Sequence, residues 1–269
     1  MSALTLTLTS APDGRLDLSA LTPAAISGLS NGDIGKLPLG EGASAPKVGD
    51  HFRIAGTAGE RLVLDGATGQ LDLVGARLDT GTIVVEGDVG AFAAANMRGG
   101  RLEIAGSAGA GLGAAMRDGI VHVRGNTADS TGGIRFGERY GMQGGTILVE
   151  GNVGPRAGDR MRRGTIIARG NFGAHAGARM MGGTLWAEGG FGDEPGIQMR
   201  RGTLIAPRTG RLLPTFRDGG VHDLVILRIL SRDTAQRLGS LAPKPLPARV
   251  RKLSGDLAIF GKGELLLTS

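Results

Sequence analysis

The chain has 269 residues, including 50 glycines and, as its only aromatic residues, seven Phe, one Tyr and one Trp, and its net charge is +6. Its lack of cysteine excludes disulfides, cysteine-bound iron–sulfur clusters and a thiol nucleophile, and fits a reducing cytoplasm. The cations are scattered and aromatic side chains for base stacking are scarce, so we expect no nucleic-acid partner. No apolar run is long enough for a membrane span, and the N-terminal segment lacks the basic residues of a signal peptide, so we predict a cytoplasmic protein.

Residues 1–47 predict an N-terminal arm. Leucine and threonine alternate over residues 4–8, which predicts a strand, and we expect this strand at the edge of a sheet. Residues 11–47 carry turn signals and no regular pattern. From Val48 onward, short apolar segments alternate with glycine, at first irregularly, as in the capping coils of repeat proteins.

One short sequence recurs between residues 81 and 207. In most copies a Gly-x2-Gly-x3-Gly pattern leads to a methionine, then to a turn glycine and a short apolar segment. The copies form a 19-residue repeat, except for one longer step that holds a seven-residue insertion. Fixed glycines predict tight corners, and apolar segments this short and β-branched predict strands rather than helices. The first glycines of the copies are Gly87, Gly106, Gly125, Gly151, Gly170 and Gly189.

The apolar positions of the copies form columns, as the inward positions of stacked strands should. A methionine in each copy adds a third apolar column, which we interpret as core. We therefore predict an all-β fold, a right-handed parallel β-helix of glycine-cornered coils over residues 48–210. The first column is Ile83, Leu102, Val121, Ile147, Ile166, Leu185 and Leu204, and the second is Val85, Ile104, Val123, Val149, Ala168, Ala187 and Ala206.

Residues 211–269 predict a different structure. Apolar residues at helical spacing predict a helix over residues 221–238, and Gly239 is a natural helix stop. Three prolines between residues 243 and 247 predict an extended connector. We expect a last strand over residues 265–267, and we interpret this segment as a cap on the open end of the coil stack.

The sequence predicts no catalytic or metal site. Its four histidines, at positions 51, 122, 175 and 222, fall in no metal-ligand spacing. No nucleophile motif or pair of catalytic carboxylates stands out, and we expect no cofactor bound by this chain alone.

A set of arginines predicts a binding face for acidic groups. The position after each methionine is most often arginine, and the next position adds two more. In one interpretation water solvates each charge, and the cluster is stable without a partner. In the other, an anionic partner neutralises the arginines. The candidate binding residues are Arg98, Arg117, Arg162, Arg163, Arg200 and Arg201.

The column between the two inward ones should point out of the coils, yet its second half is continuously apolar. A soluble monomer rarely exposes such a row, so something must cover it. The cover is either the chain's own helix at residues 221–238 or a partner subunit, with the chain's one tryptophan as anchor. The candidate interface residues are Leu148, Ile167, Trp186 and Ile205.

The repeat resembles the β-helical domain of glutamate synthase and, more closely, the C subunit of formylmethanofuran dehydrogenase. The second resemblance covers nearly the whole chain, from Gly49-Asp50-His51-Phe52 through the enlarged coil to Gly255-Asp256-Leu257 and Gly261-Lys262-Gly263-Glu264. Its arginine- and alanine-rich composition is similar to the form found in methylotrophic bacteria, the C subunit of the formyltransferase/hydrolase complex.

This resemblance implies a role in one-carbon metabolism. The complex moves a formyl group from tetrahydromethanopterin to a methanofuran-like carrier with a polyglutamate tail, then hydrolyses it to formate during formaldehyde oxidation. A formyltransferase, a zinc-dependent hydrolase and a molybdopterin-subunit-like chain would be its partners, and this chain a non-catalytic scaffold. The alternatives are the C subunit of an archaeal-type formylmethanofuran dehydrogenase, a glutamate-synthase-type β-helical domain that passes signals, and a separate polyanion-binding module.

Overall fold

The structure is a computed structural model that describes residues 3–135 and 137–268. Its helices are α1 (Pro23–Ile26), α2 (Asn31–Gly35), α3 (Val48–His51) and α4 (Val225–Leu238), and a 3-10 turn follows at Gly239–Leu241. Its strands are β1 (Ala3–Leu8), β2 (Leu16–Asp17), β3 (Phe52–Gly56), β4 (Arg61–Ala67), β5 (Leu71–Asp72), β6 (Thr82–Gly87), β7 (Arg98–Ile104), β8 (Asp118–Val123), β9 (Gln143–Val149), β10 (Arg163–Ala168), β11 (Asn171–Phe172), β12 (Met181–Ala187), β13 (Gly190–Phe191), β14 (Arg201–Ala206), β15 (Arg217–Asp223), β16 (Arg249–Gly255) and β17 (Lys262–Leu267).

Thirteen of these strands form one large, mainly parallel sheet, so the chain is all-β as predicted. The order is β15-β16-β17-β14-β12-β10-β9-β8-β7-β6-β4-β1-β3, and the strands from β1 and β4 through to β14 and β17 pair in parallel. Register partners in the middle of the sheet are equivalent positions of successive copies, as for Ile83 and Leu102. Val121 and Ile147 pair in the same way across the copy that holds the insertion.

The core lies along this sheet. Both predicted inward columns are buried. The methionine column is also fully buried, which confirms that its members are core side chains; they are Met97, Met116, Met142, Met161, Met180 and Met199. Parallel strands in this arrangement place equivalent side chains in contact with one another, so each layer buries apolar area against the next.

A second row of parallel contacts runs beside the large sheet. Single bridges join Val89 to Ala108, Ala108 to Thr127, and Thr127 to Val153, again between equivalent positions of successive copies. Nearby, the side-chain Oδ1 of Asn126 accepts the backbone N–H of Asn152 at 2.8 Å. These bonds satisfy backbone groups at the corners, which otherwise would be buried without partners.

The backbone at the corners repeats as well. Gly113, Gly132 and Gly158 have φ between 65° and 69°, in the left-handed region that glycine adopts at little cost. Ala94 stands at the equivalent position one copy earlier and has φ 56°. An alanine there is strained, so the surrounding coil must hold it in place.

The N-terminal strand is not at the edge of the sheet, so that expectation is wrong. β1 lies between β3 and β4 and pairs with both, antiparallel to β3 and parallel to β4. Leu4 and Leu6 are fully buried, so one face of the strand packs into the core. At this end of the sheet the edge strand is β3. The division into an arm, a β-helix and a cap stays a prediction.

The C-terminal helix begins later than predicted. Residues 217–223 form β15, which pairs with β16, so α4 starts at Val225 rather than at residue 221. Gly239 ends α4 with φ 58°, as predicted. The last strand, β17, continues the parallel ladder beside β14, and its predicted part at residues 265–267 lies within it. Within the described ranges, no helix is long and apolar enough to cross a membrane.

Candidate functional site

The six predicted arginines are all exposed, but the structure separates them into two groups. Arg162, Arg200 and Arg201 line one open depression of about 310 Å³. Arg98, Arg117 and Arg163 line neither this depression nor a second one that adjoins it.

The repeat itself presents these side chains. Met161 and Met199 are fully buried, and Arg162 and Arg200, which follow them directly before β10 and β14, are exposed. Between these two arginines Met181 holds the equivalent place on the intervening strand. Because neighbouring strands are about 4.8 Å apart, the two arginines are about 10 Å apart along the stack.

A second depression of about 380 Å³ adjoins the first and shares Tyr140, Met181 and Arg200 with it. We call the two together the basic groove. None of the described residues that line it is acidic. The remaining lining residues are Arg139, Arg160, Arg162, Arg179, Gln198, Arg201, Ile259, Phe260 and Lys262.

Aromatic rings hold several of the guanidinium groups in place. The Arg162 guanidinium lies 4.5 Å from the centroid of the Tyr140 ring, and that of Arg139 lies 5.3 Å from the same centroid. The Arg200 guanidinium lies 5.7 Å from the centroid of the Phe260 ring. Each contact attracts a cation to the face of a ring and limits its motion without neutralising its charge.

The positive charge of the groove is mostly unneutralised. Arg179 pairs with the buried Asp159, and this hydrogen bond raises the pKa of the Arg179 guanidinium above its usual value. The other six cations have no carboxylate within 4.0 Å in the part of the chain that the structure describes. These are Arg139, Arg160, Arg162, Arg200, Arg201 and Lys262.

The register of the sheet brings two of these cations side by side. Arg201 on β14 is the register partner of Lys262 on β17, so two like charges stand on adjacent strands. Such a pair is destabilising unless water or an anion neutralises it. Arg98, by contrast, is the register partner of Asp118. The groove end of the arginine set therefore suits an anionic ligand better than the other end does.

Sequence reasoning found only three of the twelve residues that line the groove. Tyr140 lies in the insertion, and Phe260 and Lys262 lie in the C-terminal segment, outside the repeat that predicted the arginines. The chain's one tyrosine, flanked by Arg139 in an insertion that interrupts a strict repeat, was the available signal.

The four candidate interface residues lie elsewhere, under the chain's own helix. Their side chains are at most 3% exposed and pack with Leu227 and Leu238 of α4. Residues from the connector, β16 and β17 complete the cluster. A partner subunit is therefore wrong as the main cover of these residues, because α4 and its neighbours bury them within the chain, and only Ile205 also lines a groove beside the helix. The residues are Leu148, Ile167, Trp186 and Ile205.

Asp256 and His122, both buried, have structural partners. Asp256 accepts hydrogen bonds from the backbone N–H groups of Gln198 and Ala258, at 3.0 and 2.9 Å. The His122 Nε2 lies 2.9 Å from the Glu150 Oε1. Among the described residues, no three His, Cys, Asp or Glu side chains are grouped so that they could hold a metal ion.

Comparison with known proteins identifies the family. No protein-family model matches the chain. The C subunit of the formyltransferase/hydrolase complex Fhc of Methylorubrum extorquens is 46% identical over 76 residues, a stretch that spans 28% of this chain and 29% of that protein. A chain in the X-ray crystal structure of the formyltransferase/hydrolase complex FhcABCD from the same organism, in complex with methylofuran, is 42% identical with a TM-score of 0.93, and the match covers 98% of this chain and 99% of that chain. The chain therefore belongs to the family of the C subunit of the formyltransferase/hydrolase complex.

Proposed function

We propose that this chain is a structural subunit of a formyltransferase/hydrolase complex. Such a complex would transfer a formyl group from tetrahydromethanopterin to a methanofuran-like carrier and hydrolyse it to formate. One observation carries the proposal, the full-length match to a chain of the FhcABCD crystal structure at 42% identity and a TM-score of 0.93. Its partners would be a formyltransferase, a zinc-dependent hydrolase and a molybdopterin-subunit-like chain, and a cytoplasmic location stays a prediction.

For the scaffold itself we infer a right-handed parallel β-helix over residues 48–210, between an arm at residues 1–47 and a cap at residues 211–269. Support comes from the parallel pairing of equivalent positions in successive copies, which recurs both in the large sheet and in the row of single bridges beside it. The right hand follows from the twist of L-amino-acid strands. Stacked coils of this kind make a stiff rod, which suits a subunit that holds others in place.

The chain's role would be non-catalytic. Its two buried carboxylates are engaged in structural contacts, Asp159 with Arg179 and Asp256 with backbone N–H groups. A general acid or base needs a carboxyl group that is free to exchange a proton with a substrate. These two groups instead hold coils and the C-terminal segment together.

The basic groove would bind the acidic tail of the carrier. Six cations without a carboxylate partner line it, and the aromatic rings of Tyr140 and Phe260 hold three of its guanidinium groups. A chain of carboxylates fits this donor set, because each guanidinium binds a carboxylate through two parallel hydrogen bonds. The crystal structure similar to this chain is a complex with methylofuran. The other interpretation, solvated arginines alone, leaves the Arg201–Lys262 pair unneutralised.

The test is reconstitution of the complex from its own subunits, with and without this chain. We expect the subunits to assemble in a fixed ratio only when this chain is present, and the coupled conversion of the formyl group to formate to depend on that assembly. Isolated catalytic subunits should keep their partial reactions. If the remaining subunits assemble and turn over equally well without the chain, the scaffold role is wrong, and if the chain alone transfers or hydrolyses formyl groups, the non-catalytic role is wrong.

A further inference from the structure

The exposed large apolar side chains of the described residues all lie in the C-terminal segment. Three are in the turn before β17, and the other four lie between residues 221 and 229. Those four are between 57% and 64% exposed, although the stack itself buries its apolar residues almost completely. The four are Val221, Val225, Ile226 and Ile229.

Helix α4 is apolar on two faces. Its inner face, which includes Leu227 and Leu238, packs on the sheet and needs no further cover. Val225 and Ile229, one turn apart, project from the opposite side, where a surface helix should carry polar residues. A second apolar face on a helix whose first face is already packed indicates that the second face is also covered.

A groove beside this outer face is open and largely apolar. It has a volume of about 300 Å³, and Ile226, Ile229 and Leu230 form its wall on the helix side. Ile205 and Thr203 of β14 lie across from them. We call this depression, together with the exposed Val225, Ile226 and Ile229, the helix groove. A depression of this size accepts one or two large apolar side chains from another surface.

Charges along the helix groove differ in whether they have partners. On the groove side, the Asp233 carboxylate accepts a hydrogen bond from Arg237 at 3.0 Å, and Glu264 accepts one from Thr203 at 2.8 Å and pairs with Lys252. On the other flank of the helix, Arg228 and Arg232 are exposed. Neither of these two arginines is within 4.0 Å of a carboxylate in the described ranges.

We propose that the helix groove docks another subunit of the same complex, through a segment that inserts apolar side chains and places carboxylates against Arg228 and Arg232. The apolar wall supplies the central contact, and the two unpaired cations set the charge of the partner's flank. This inference rests on the proposed function, because it takes the occupant to be a subunit of the formyltransferase/hydrolase complex. A basic or wholly apolar segment would leave the two arginines without a counter-charge.

The test uses the whole complex, co-expressed with an affinity tag on this chain. Ile226→Glu with Ile229→Glu places two charges on the apolar wall, at exposed positions where the isolated chain tolerates them. We expect an unchanged melting temperature for the isolated chain and at least about a tenfold loss of co-purified partner subunit. The double variant Arg228→Glu with Arg232→Glu should weaken the same association. The control is Ala55→Glu with Thr57→Glu, on and beside the edge strand β3 at the opposite end of the sheet, and it should leave the association unchanged.

Each other outcome is informative. If the wild-type chain assembles and the Ile226/Ile229 variant assembles equally well, the helix groove is not the docking surface, while the proposed function stands. If light scattering shows that the isolated wild-type chain is a dimer and that this variant is a monomer, the occupant is a second copy and the proposal is wrong. If the wild-type chain recruits no subunit at all, the proposed function fails and this inference fails with it.

Discussion

The guanidinium of Arg162 lies 4.5 Å from the centroid of the Tyr140 ring, and this contact joins the insertion to the arginine set of the repeat. The guanidinium of Arg139 lies 5.3 Å from the same centroid, so one ring orients two cations of the basic groove. The insertion that interrupts the regular spacing thus forms one side of the candidate binding site.

Removal of the Tyr140 ring should weaken anion binding. In Tyr140→Ala the two guanidinium groups lose the ring that limits their motion, at a cost of about 0.5–1 kcal/mol for each exposed cation–π contact. We expect roughly a five- to thirtyfold lower affinity of the purified chain for a polyglutamate peptide, measured by calorimetry at low salt.

Tyr140→Phe is the matched control, because it keeps the aromatic face and removes only the hydroxyl. Its affinity should remain close to that of the wild type. Equal binding by all three proteins would show that the ring does not orient the arginines toward a ligand.

The groove arginines should differ from the other predicted arginines in carrier binding. Replacement of Arg162, Arg200 and Arg201 by glutamine removes three exposed charges, each contributing up to about 1 kcal/mol. We expect roughly a five- to 150-fold weaker retention of the carrier in the purified complex, and a smaller dependence of that retention on salt.

The matched variant replaces the three arginines that do not line the groove, and so it changes the net charge equally. If carrier retention falls to the same extent in this variant, the effect is one of overall charge and the groove is not the site. Its substitutions are Arg98→Gln, Arg117→Gln and Arg163→Gln.

Trp186 should contribute strongly to the stability of the isolated chain. Its side chain is 3% exposed and packs with the cluster that includes Leu227 and Leu238 of α4. Trp186→Ala leaves a large cavity, and we expect the free energy of unfolding to fall by about 3–5 kcal/mol in denaturant titrations. Ile229→Ala, at an exposed position on α4, should lower the free energy of unfolding far less. A Trp186→Ala chain as stable as the wild type would contradict the packing of α4 on this face.

The pair of Asp218 on β15 and Arg251 on β16 should make the stability of this pair of strands depend on acidic pH. Hydrogen bonds from Arg251 and from the Gly220 N–H hold the pKa of Asp218 at about 2, below its usual value near 3.9. A lowered pKa means that the carboxylate stabilises the folded state at neutral pH. That contribution should be lost as the pH falls from about 4 through about 2.

NMR titration of the Asp218 side chain measures this directly. In Arg251→Gln we expect its pKa to rise toward the usual value, because the guanidinium hydrogen bonds are gone while the Gly220 N–H remains. An unchanged pKa in this variant would show that the cross-strand pair does not form in solution.

The sequence predicted the repeating part of the fold better than the parts outside the repeat. The constant length of the copies placed Ile83, Val85 and their equivalents inward, since equivalent residues of stacked strands share one environment. The start of α4 was misplaced because Val221 is apolar and fits the helical spacing, whereas pairing with β16 makes it part of β15.

The basic groove was predicted only in part for the same reason. Most of its arginines follow the repeat, but Tyr140 and Phe260 come from segments far apart in the sequence, whose approach depends on the tertiary fold. Likewise, the apolar row that contains Trp186 correctly indicated a covered face. The spacing of the residues did not show whether the chain's own helix or a partner subunit covers this row, and the position of α4 shows that the helix does.

Affinity purification of this chain from its native cells, followed by mass spectrometry and light scattering, is the decisive test of its role as a subunit. We expect the chain to elute in a complex of fixed stoichiometry with formyltransferase and hydrolase subunits, and the same fraction to convert formyl groups to formate. Elution of the chain as a lone monomer, with those activities in other fractions, would contradict it.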